Sequence, residues 1–327
     1  MYFCFMQNIS IYKKAFEDYL VEYNFEKEPR SLYEPIKYIL NLGGKRLRPV
    51  LTLLSADIFS GQVNKALDAA LAIEMFHNFS LIHDDIMDDA PTRRGKPTVH
   101  EKWNTNTAIL SGDALLVMAN KALETYDPVT FFKLTTLFNK TALEVCEGQQ
   151  YDFDFESLTT VTSEEYVRMI TLKTSVLIAT ALKFGAIIAS ASPQNSEAIY
   201  SYGLNLGIAF QLQDDYLDVF GTSDFGKQKA GDIIANKKTI LYIKAMALAE
   251  SQDRDRLVKL YQLKGYNEQK MKEVIAVFKK YKIAGYIERE IAEYTQKAVQ
   301  SIDSLTVGNK SKEVLRILAS DLMCRVV

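Results

Sequence analysis

Along most of the chain, apolar residues recur every three or four positions rather than every second one, which is the pattern of helices with a buried face. The strongest runs are Pro35–Leu40, Pro49–Phe59, Asn64–Asp88, Ala108–Tyr126 and Val129–Phe155. They continue with Ser163–Ala191, Ser196–Val219, Lys238–Ser251, Glu268–Leu305 and Lys312–Cys324. Several exceed about twenty residues, enough to cross a domain of about 30 Å at about 1.5 Å per residue. Only 15 Gly and 7 Pro occur in 327 residues, so few breakers interrupt these runs. No alternating strand, Gly/Ser-rich linker or internal repeat divides the sequence. The expected fold is all-α: one large helical-bundle domain over residues 1–327, with a central substrate cavity among facing helices.

Two segments depart from this pattern, Asp89–His100 (DAPTRRGKPTVH) and Gly221–Lys238 (GTSDFGKQKAGDIIANKK). Each is basic, and each follows an acidic helix end: Asp84-Asp85-Ile86-Met87-Asp88 and Asp214-Asp215-Tyr216-Leu217-Asp218. Helical geometry puts Asp84 and Asp88 on one face with Asp85 beside them, and Glu74, His77 and Leu81 on the same side further down. Gln211, Gly207 and Gly203 lie below the second triplet. Carboxylates spaced i, i+4 repel, and the negative end of the helix dipole makes three of them costlier still. One such triplet is ordinarily a solvated helix end. Two of them, each in an apolar helix and each followed by cations, fit a hard divalent ion better. Mg²⁺ binds through one or two carboxylates and completes its shell with water and phosphate oxygens. Two facing triplets would clamp a diphosphate between several such ions.

The formal net charge of -2 argues against a general nucleic-acid or anionic-membrane surface, so anion binding has to come from local clusters. Such clusters exist. Gly43-Gly44-Lys45-Arg46-Leu47-Arg48-Pro49 sets three cations in a Gly-bounded turn, and Arg93-Arg94 opens the first irregular segment. Lys173-Thr174 interrupts an apolar run, and Lys227, Lys237 and Lys238 follow the second triplet. Singly, each reads as a surface cation. As a set around two acidic triplets they mark two polyphosphate sites, one reached through metal and one through Arg and Lys alone. His77 is either a donor to the second site or a satisfied core histidine. No nucleophile elbow, P-loop or zinc-protease motif is present, so the chemistry has to be electrostatic. Cys4, Cys146 and Cys324 are an odd, widely spaced set, which reads as reduced thiols in a cytoplasmic protein. Met1–Gln7 is too short for a signal peptide or a membrane span, and a start at Met6 reads equally well.

In this order, GGKRLRP (43–49), HNFSLIHDDIMD (77–88), RRGKPTVH (93–100), EGQQYD (147–152), KTS (173–175) and FQLQDDYLD (210–218) resemble the trans-isoprenyl diphosphate synthases, or polyprenyl synthetases, over nearly the whole chain. The resemblance implies a Mg²⁺-dependent prenyltransferase that joins isopentenyl diphosphate to an allylic diphosphate, with three ions per site. It implies Asp84, Asp85, Asp88, Asp214, Asp215 and Asp218 as metal ligands. Arg93, Lys173, Lys227 and Lys237 then contact the allylic diphosphate, with Thr174 and Gln211 near the allylic carbons. Lys45, Arg48, His77 and Arg94 form the isopentenyl diphosphate site. The family often reads Lys-x-Thr-Leu-Pro after the second loop, whereas here Lys237 is followed by Lys-Thr-Ile-Leu, which leaves Lys237 and Lys238 as alternatives.

The implied product is short, geranylgeranyl or farnesyl diphosphate. Phe79 stands five residues before the first Asp and the small Ser80 four before it, with Phe76 and Met75 deeper, although all four also read as ordinary core. A longer-chain synthase for quinone side chains is the main alternative. A non-catalytic regulatory subunit is less consistent with two intact triplets. A terpene cyclase is less consistent with an all-Asp second motif beside GGKRLRP. The family resemblance also implies a homodimer.

Overall fold

The structure is a computed structural model that describes residues 2–221, 230–263 and 265–324, with side chains from Ile9 onward. The helices are α1 (Tyr2–Glu22), α2 (Arg30–Asn41), α3 (Leu47–Ser60), α4 (Leu67–Met87), α5 (Val99–Lys102), α6 (Thr105–Lys121), α7 (Pro128–Ser157) and α8 (Ser163–Ile170). They continue as α9 (Val176–Ile188), α10 (Pro193–Phe220), α11 (Gly231–Ile234), α12 (Ile240–Leu248), α13 (Ser251–Leu260), α14 (Glu268–Lys280), α15 (Ile283–Asp303) and α16 (Asn309–Met323). The all-α expectation holds, apart from a two-residue antiparallel ladder of β1 (Thr92–Arg93) and β2 (Lys96–Pro97), in which Arg93 lies opposite Lys96.

Contacts divide the chain into two compact units, residues 1–140 with 180–197 and residues 141–179 with 198–327. In the first unit α4 is the central helix. Ala69, Ala70, Leu71, Ile73, Met75 and Phe76 are all buried, so it is apolar almost all round, and it packs on α3 and α6. Each large side chain so buried contributes about 1.5–3 kcal/mol. In the second unit one apolar cluster joins Tyr166, Met169 and Ile170 of α8 to Leu212 and Tyr216 of α10, and these to residues of α12, α14 and α15.

Capping explains several helix starts. Asn104 and Asn267 accept from the amides of Thr107 and Lys270, and Thr162 with Glu165 closes a reciprocal capping box before α8. The expected run Glu268–Leu305 is broken at Tyr281-Lys282, where Lys282 adopts a left-handed backbone (φ 55). No Gly or Pro marks that break. Instead, the Tyr281 hydroxyl donates to Asp253 and accepts from the Glu250 amide, which fixes the turn from outside. The run Ser163–Ala191 keeps its helical course but contains a π turn at Thr171–Ser175. The stretch Ser163–Ile188 is long and apolar enough to cross a membrane by length and composition, and 67% of its most apolar window is buried within the protein.

Candidate active site

In the first unit α4 ends in the first Asp triplet. Asp85 is only 1% exposed, and its charge is met by Arg93. The Arg93 Nε lies 2.9 and 2.8 Å from the two Asp85 oxygens, and a terminal nitrogen lies 2.7 Å from Oδ1. This forked pair satisfies a carboxylate that would otherwise be buried unpaired. Asp84 is partly exposed and Asp88 exposed. The chain leaves α4 through Asp89 in a left-handed conformation (φ 49), and the β1–β2 ladder turns it back so that Arg93 reaches Asp85.

Arg46 sits at the N-cap of α3, also left-handed (φ 51), and is buried. It donates to Glu74 and to the Leu40 carbonyl, while the Asn78 amide donates to the same Glu74 oxygen at 3.2 Å. The middle cation of Lys45-Arg46-Leu47-Arg48 is therefore an internal anchor. Lys45 is exposed, and Arg48 stands 3.2 Å from the Nε2 of His77. Burial pushes the His77 imidazole well below its usual pKa, and the charges of Arg48, Arg94, Arg93 and Arg46 push the same way. His77 is thus neutral, and because its Nε2 faces an arginine donor, the proton belongs on Nδ1. Arg94, at φ 53, donates to the Gly43 carbonyl, which brings the Arg loop onto the GGKRLRP turn.

The chain-length candidates divide. Phe79 is partly exposed and meets Phe76 and His83, with ring centroids 5.6 and 4.8 Å away. Ser80 is partly exposed, and its hydroxyl donates to the His77 carbonyl. Phe76 is 1% exposed and packs edge-on against Phe138, while Met75 is 0% exposed. Met75 also lies about 180° round the helix from Asp84. Both side chains, Phe76 and Met75, are buried in the first unit.

In the second unit the second triplet joins a hydrogen-bonded network. Asp215 is buried and accepts from the Tyr166 hydroxyl and, at 3.1 Å, from the Gln211 amide. Burial raises its pKa well above the usual carboxylate range, and the neighbouring charge of Asp232 adds to this, while the two hydrogen bonds oppose it. The Gln211 carbonyl accepts from the Thr174 hydroxyl at 3.2 Å. Asp218 accepts from the amides of Gly231 and Asp232, both at 3.1 Å, at the start of α11. Asp214 is partly exposed.

Lys173 and Thr174 lie in the π turn, where the Val176 amide reaches back to the Thr171 carbonyl. The extra residue in this turn breaks the regular helical phase, as π turns often do at working sites. Two helices press on the turn closely enough to exclude side chains. A Cβ on Gly148 of α7 would meet the Lys173 amide nitrogen at 2.2 Å, and one on Gly207 of α10 would meet the Ser175 Cα at 2.7 Å. Gly207, below the second triplet, thus lies in close contact with the π turn. Lys173 is held by Asp152 at 2.5 Å.

Lys238 donates to the carbonyls of Phe155, Glu156 and Leu158, completing the end of α7. Buried Lys270 donates to Asn236 and to the Leu263 carbonyl, which pins the turn before Lys237. Lys227 lies outside the described residues. Sequence reasoning assigned no role to Asp152, Tyr166, Gly148 or the Arg46–Glu74 pair. Asp152 and Gly148 stood within the EGQQYD motif, whereas nothing in sequence singled out Tyr166.

A family model described as Polyprenyl synthetase matches residues 29–278. The chain is 37% identical over 299 residues to a short chain isoprenyl diphosphate synthase of Methanothermobacter thermautotrophicus, covering 91% of each chain. It is 37% identical over 303 residues to a geranylgeranyl diphosphate synthase of Saccharolobus solfataricus, covering 90% of this chain and 91% of that one. A crystal structure of a geranylgeranyl pyrophosphate synthase superposes with a TM-score of 0.92 at 46% identity, covering 98% of this chain and 99% of the other. Matched along nearly its whole length in sequence and in fold, the chain belongs to the polyprenyl synthetase family and is a prenyltransferase.

Proposed function

We propose that the protein condenses isopentenyl diphosphate with an allylic diphosphate to give a short-chain all-trans prenyl diphosphate, geranylgeranyl or farnesyl diphosphate, plus diphosphate. The observation that carries this reading is how each acidic helix end is divided. Asp85 and Asp215 are buried and spent on Arg93 and Tyr166, while Asp84, Asp88, Asp214 and Asp218 keep solvent-facing surface. The donor set fits Mg²⁺: carboxylate oxygens only, few per ion, with room left for water and phosphate. Of the six aspartates named above, Asp84, Asp88, Asp214 and Asp218 would hold it, with Asp85 and Asp215 as supports. When bound, the ions neutralise charge developing on the departing diphosphate.

The remaining tasks fall to the chain's own residues. Arg93, Lys173 and Lys237 bind the allylic diphosphate and stabilise it as the allylic C–O bond breaks. Lys238 is given to the end of α7, which supports Lys237 as the substrate contact. The Thr174 hydroxyl oxygen and the Gln211 carbonyl turn their negative ends to the allylic cation. Lys45, Arg48, Arg94 and neutral His77 hold the second diphosphate, so the isopentenyl double bond attacks and the lost proton passes to the departed diphosphate. Phe79 limits chain length.

The short-chain and geranylgeranyl names of the relatives support this product class. A cytoplasmic homodimer completes the reading. The exposed apolar residues Leu110 and Val117 on α6 and Phe132 on α7, at 60, 66 and 71% exposure, support self-association. The deciding experiment incubates purified protein with Mg²⁺, isopentenyl diphosphate and each allylic primer, followed by chain-length analysis. Long polyprenyl products would favour the longer-chain alternative, and the absence of product would favour a regulatory subunit.

A further inference from the structure

Just beyond the first Asp triplet, three side chains with no part in the reaction described above converge. One ligand atom each from Asp89, His100 and Glu101 lies within 4.8 Å of the other two. Acidic groups on a surface often gather without purpose, but the histidine is not a surface group. The His100 side chain is only 8% exposed, and both ring nitrogens are buried without a hydrogen-bond partner. Its Nε2 points toward Glu101, 3.7 Å from Oε1, which is too far for a hydrogen bond and near enough to share a third atom. A buried imidazole normally finds a donor and an acceptor, so this ring lacks something.

We propose that Asp89, His100 and Glu101 bind a divalent transition-metal ion of the Zn²⁺ class, at a site separate from the Mg²⁺ carboxylates. One imidazole nitrogen with two carboxylate oxygens suits Zn²⁺, Co²⁺ or Mn²⁺ better than Mg²⁺, which prefers oxygen alone. At a metal–ligand distance of about 2.1 Å, tetrahedral donor atoms stand about 3.4 Å apart. Asp89 and Glu101 are exposed, and a bound ion would draw their carboxylates in toward His100 to that spacing.

The position gives the ion a task. Asp89 is the left-handed residue that ends α4, and His100 lies in the short helix α5 that follows β2. The ladder carrying Arg93 and Arg94 runs between them, its legs already tied by the Thr98 amide to the Pro91 carbonyl at 3.2 Å and the Thr98 hydroxyl to the Ala90 carbonyl at 2.8 Å. An ion at Asp89, His100 and Glu101 clips the base of the arginine loop and holds its two ends together.

The test is metal retention by the full chain and needs no activity. Protein stripped with a chelator is dialysed against Zn²⁺ in excess Mg²⁺, and retained zinc is counted. The expected result is one equivalent retained, with Asp89→Asn and His100→Gln each weakening retention about tenfold or more, and with an Asp84→Ala, Asp214→Ala double variant unchanged. Bound Co²⁺ should show visible absorption that both ligand variants lose. Amide exchange across residues 89–100 should slow with Zn²⁺ in the unaltered chain and not in Asp89→Asn, an exposed site where the fold has little to lose. No retained zinc, retention that survives both ligand variants, or retention lost only in the Asp84→Ala, Asp214→Ala variant would each overturn the proposal.

Discussion

Gly148→Ala sets two known effects against each other. In an isolated helix the change is favourable by about 1 kcal/mol, because alanine is the better helix former. Here the added Cβ would stand 2.2 Å from the Lys173 nitrogen, 2.7 Å from the Lys173 Cα and 2.7 Å from the Leu172 carbonyl carbon. These are backbone atoms of the π turn, which cannot rotate aside, so α7 and the turn must separate by more than about 1 Å to restore ordinary contact. Overpacking of this kind costs about 1–3 kcal/mol, and a clash with backbone belongs at the upper end. Subtracting the helix gain leaves a net loss of about 2 kcal/mol, which lowers Tm by about 4–8 °C for a unit of about 150–250 residues. Activity should suffer more than stability, because displacing a positioning group by about 1 Å can cost about 10²-fold. The turn carries Lys173 and Thr174, so kcat should fall about a hundredfold. The KM for isopentenyl diphosphate should stay within about twofold, since the residues proposed to bind it, Lys45, Arg48, His77 and Arg94, belong to the first unit. Differential scanning calorimetry and steady-state kinetics read the two effects. A variant that melts higher than the parent with kcat unchanged would refute the link between the glycine contact and the proposed role of Lys173.

Asp84→Ala should cut turnover about 10²–10³-fold with helical circular dichroism and Tm intact, whereas Asp85→Ala strands Arg93 and should cost up to about 3 kcal/mol in chemical denaturation; equal behaviour of the two would contradict the division between metal carboxylate and support. Lys238→Met leaves three carbonyls at the end of α7 short of a donor and should lower stability by about 1–3 kcal/mol. Lys237→Met should instead lower kcat with little change in Tm, and the reverse pattern would exchange the two roles. Phe79→Ala should lengthen the product on chromatography, and an unchanged product profile would remove Phe79 from the floor of the pocket. His77 is held neutral in the folded chain, so below its unfolded pKa of about 6.5 the unfolded state binds a proton that the folded state does not. Stability should therefore fall with pH below about 6.5, and His77→Gln should flatten that part of the denaturation profile; an unchanged slope would mean that His77 is protonated in the fold.

Local signals carried much of this protein. The three-to-four-residue apolar period of Ile36, Ile39 and Leu40, or of Val274, Val277 and Phe278, reports a buried helix face, so the helices could be read directly. The two Asp triplets and the GGKRLRP, RRGKPTVH and KTS segments were equally visible, because phosphate and magnesium chemistry demands rare residue types at short spacing. Sequence left open what depends on a partner distant along the chain. Arg46 and Arg48 look alike in sequence, but only the structure turns one onto Glu74 and the other toward His77. That the end of α7 takes the ammonium of Lys238 is likewise visible only in the structure. Tyr166 carries no motif, and its hold on Asp215 exists only once α8 and α10 pack together. The π turn and the break at Lys282 lack Gly or Pro at their own positions, since both are imposed by neighbours: Gly148 and Gly207 pressing on one, and Tyr281 bonded to Asp253 at the other. Periodicity and motif chemistry are properties of adjacent residues, so the sequence alone determined them. Which of several like charges is spent inside the fold depends on contacts between remote segments, and only tertiary packing decides that.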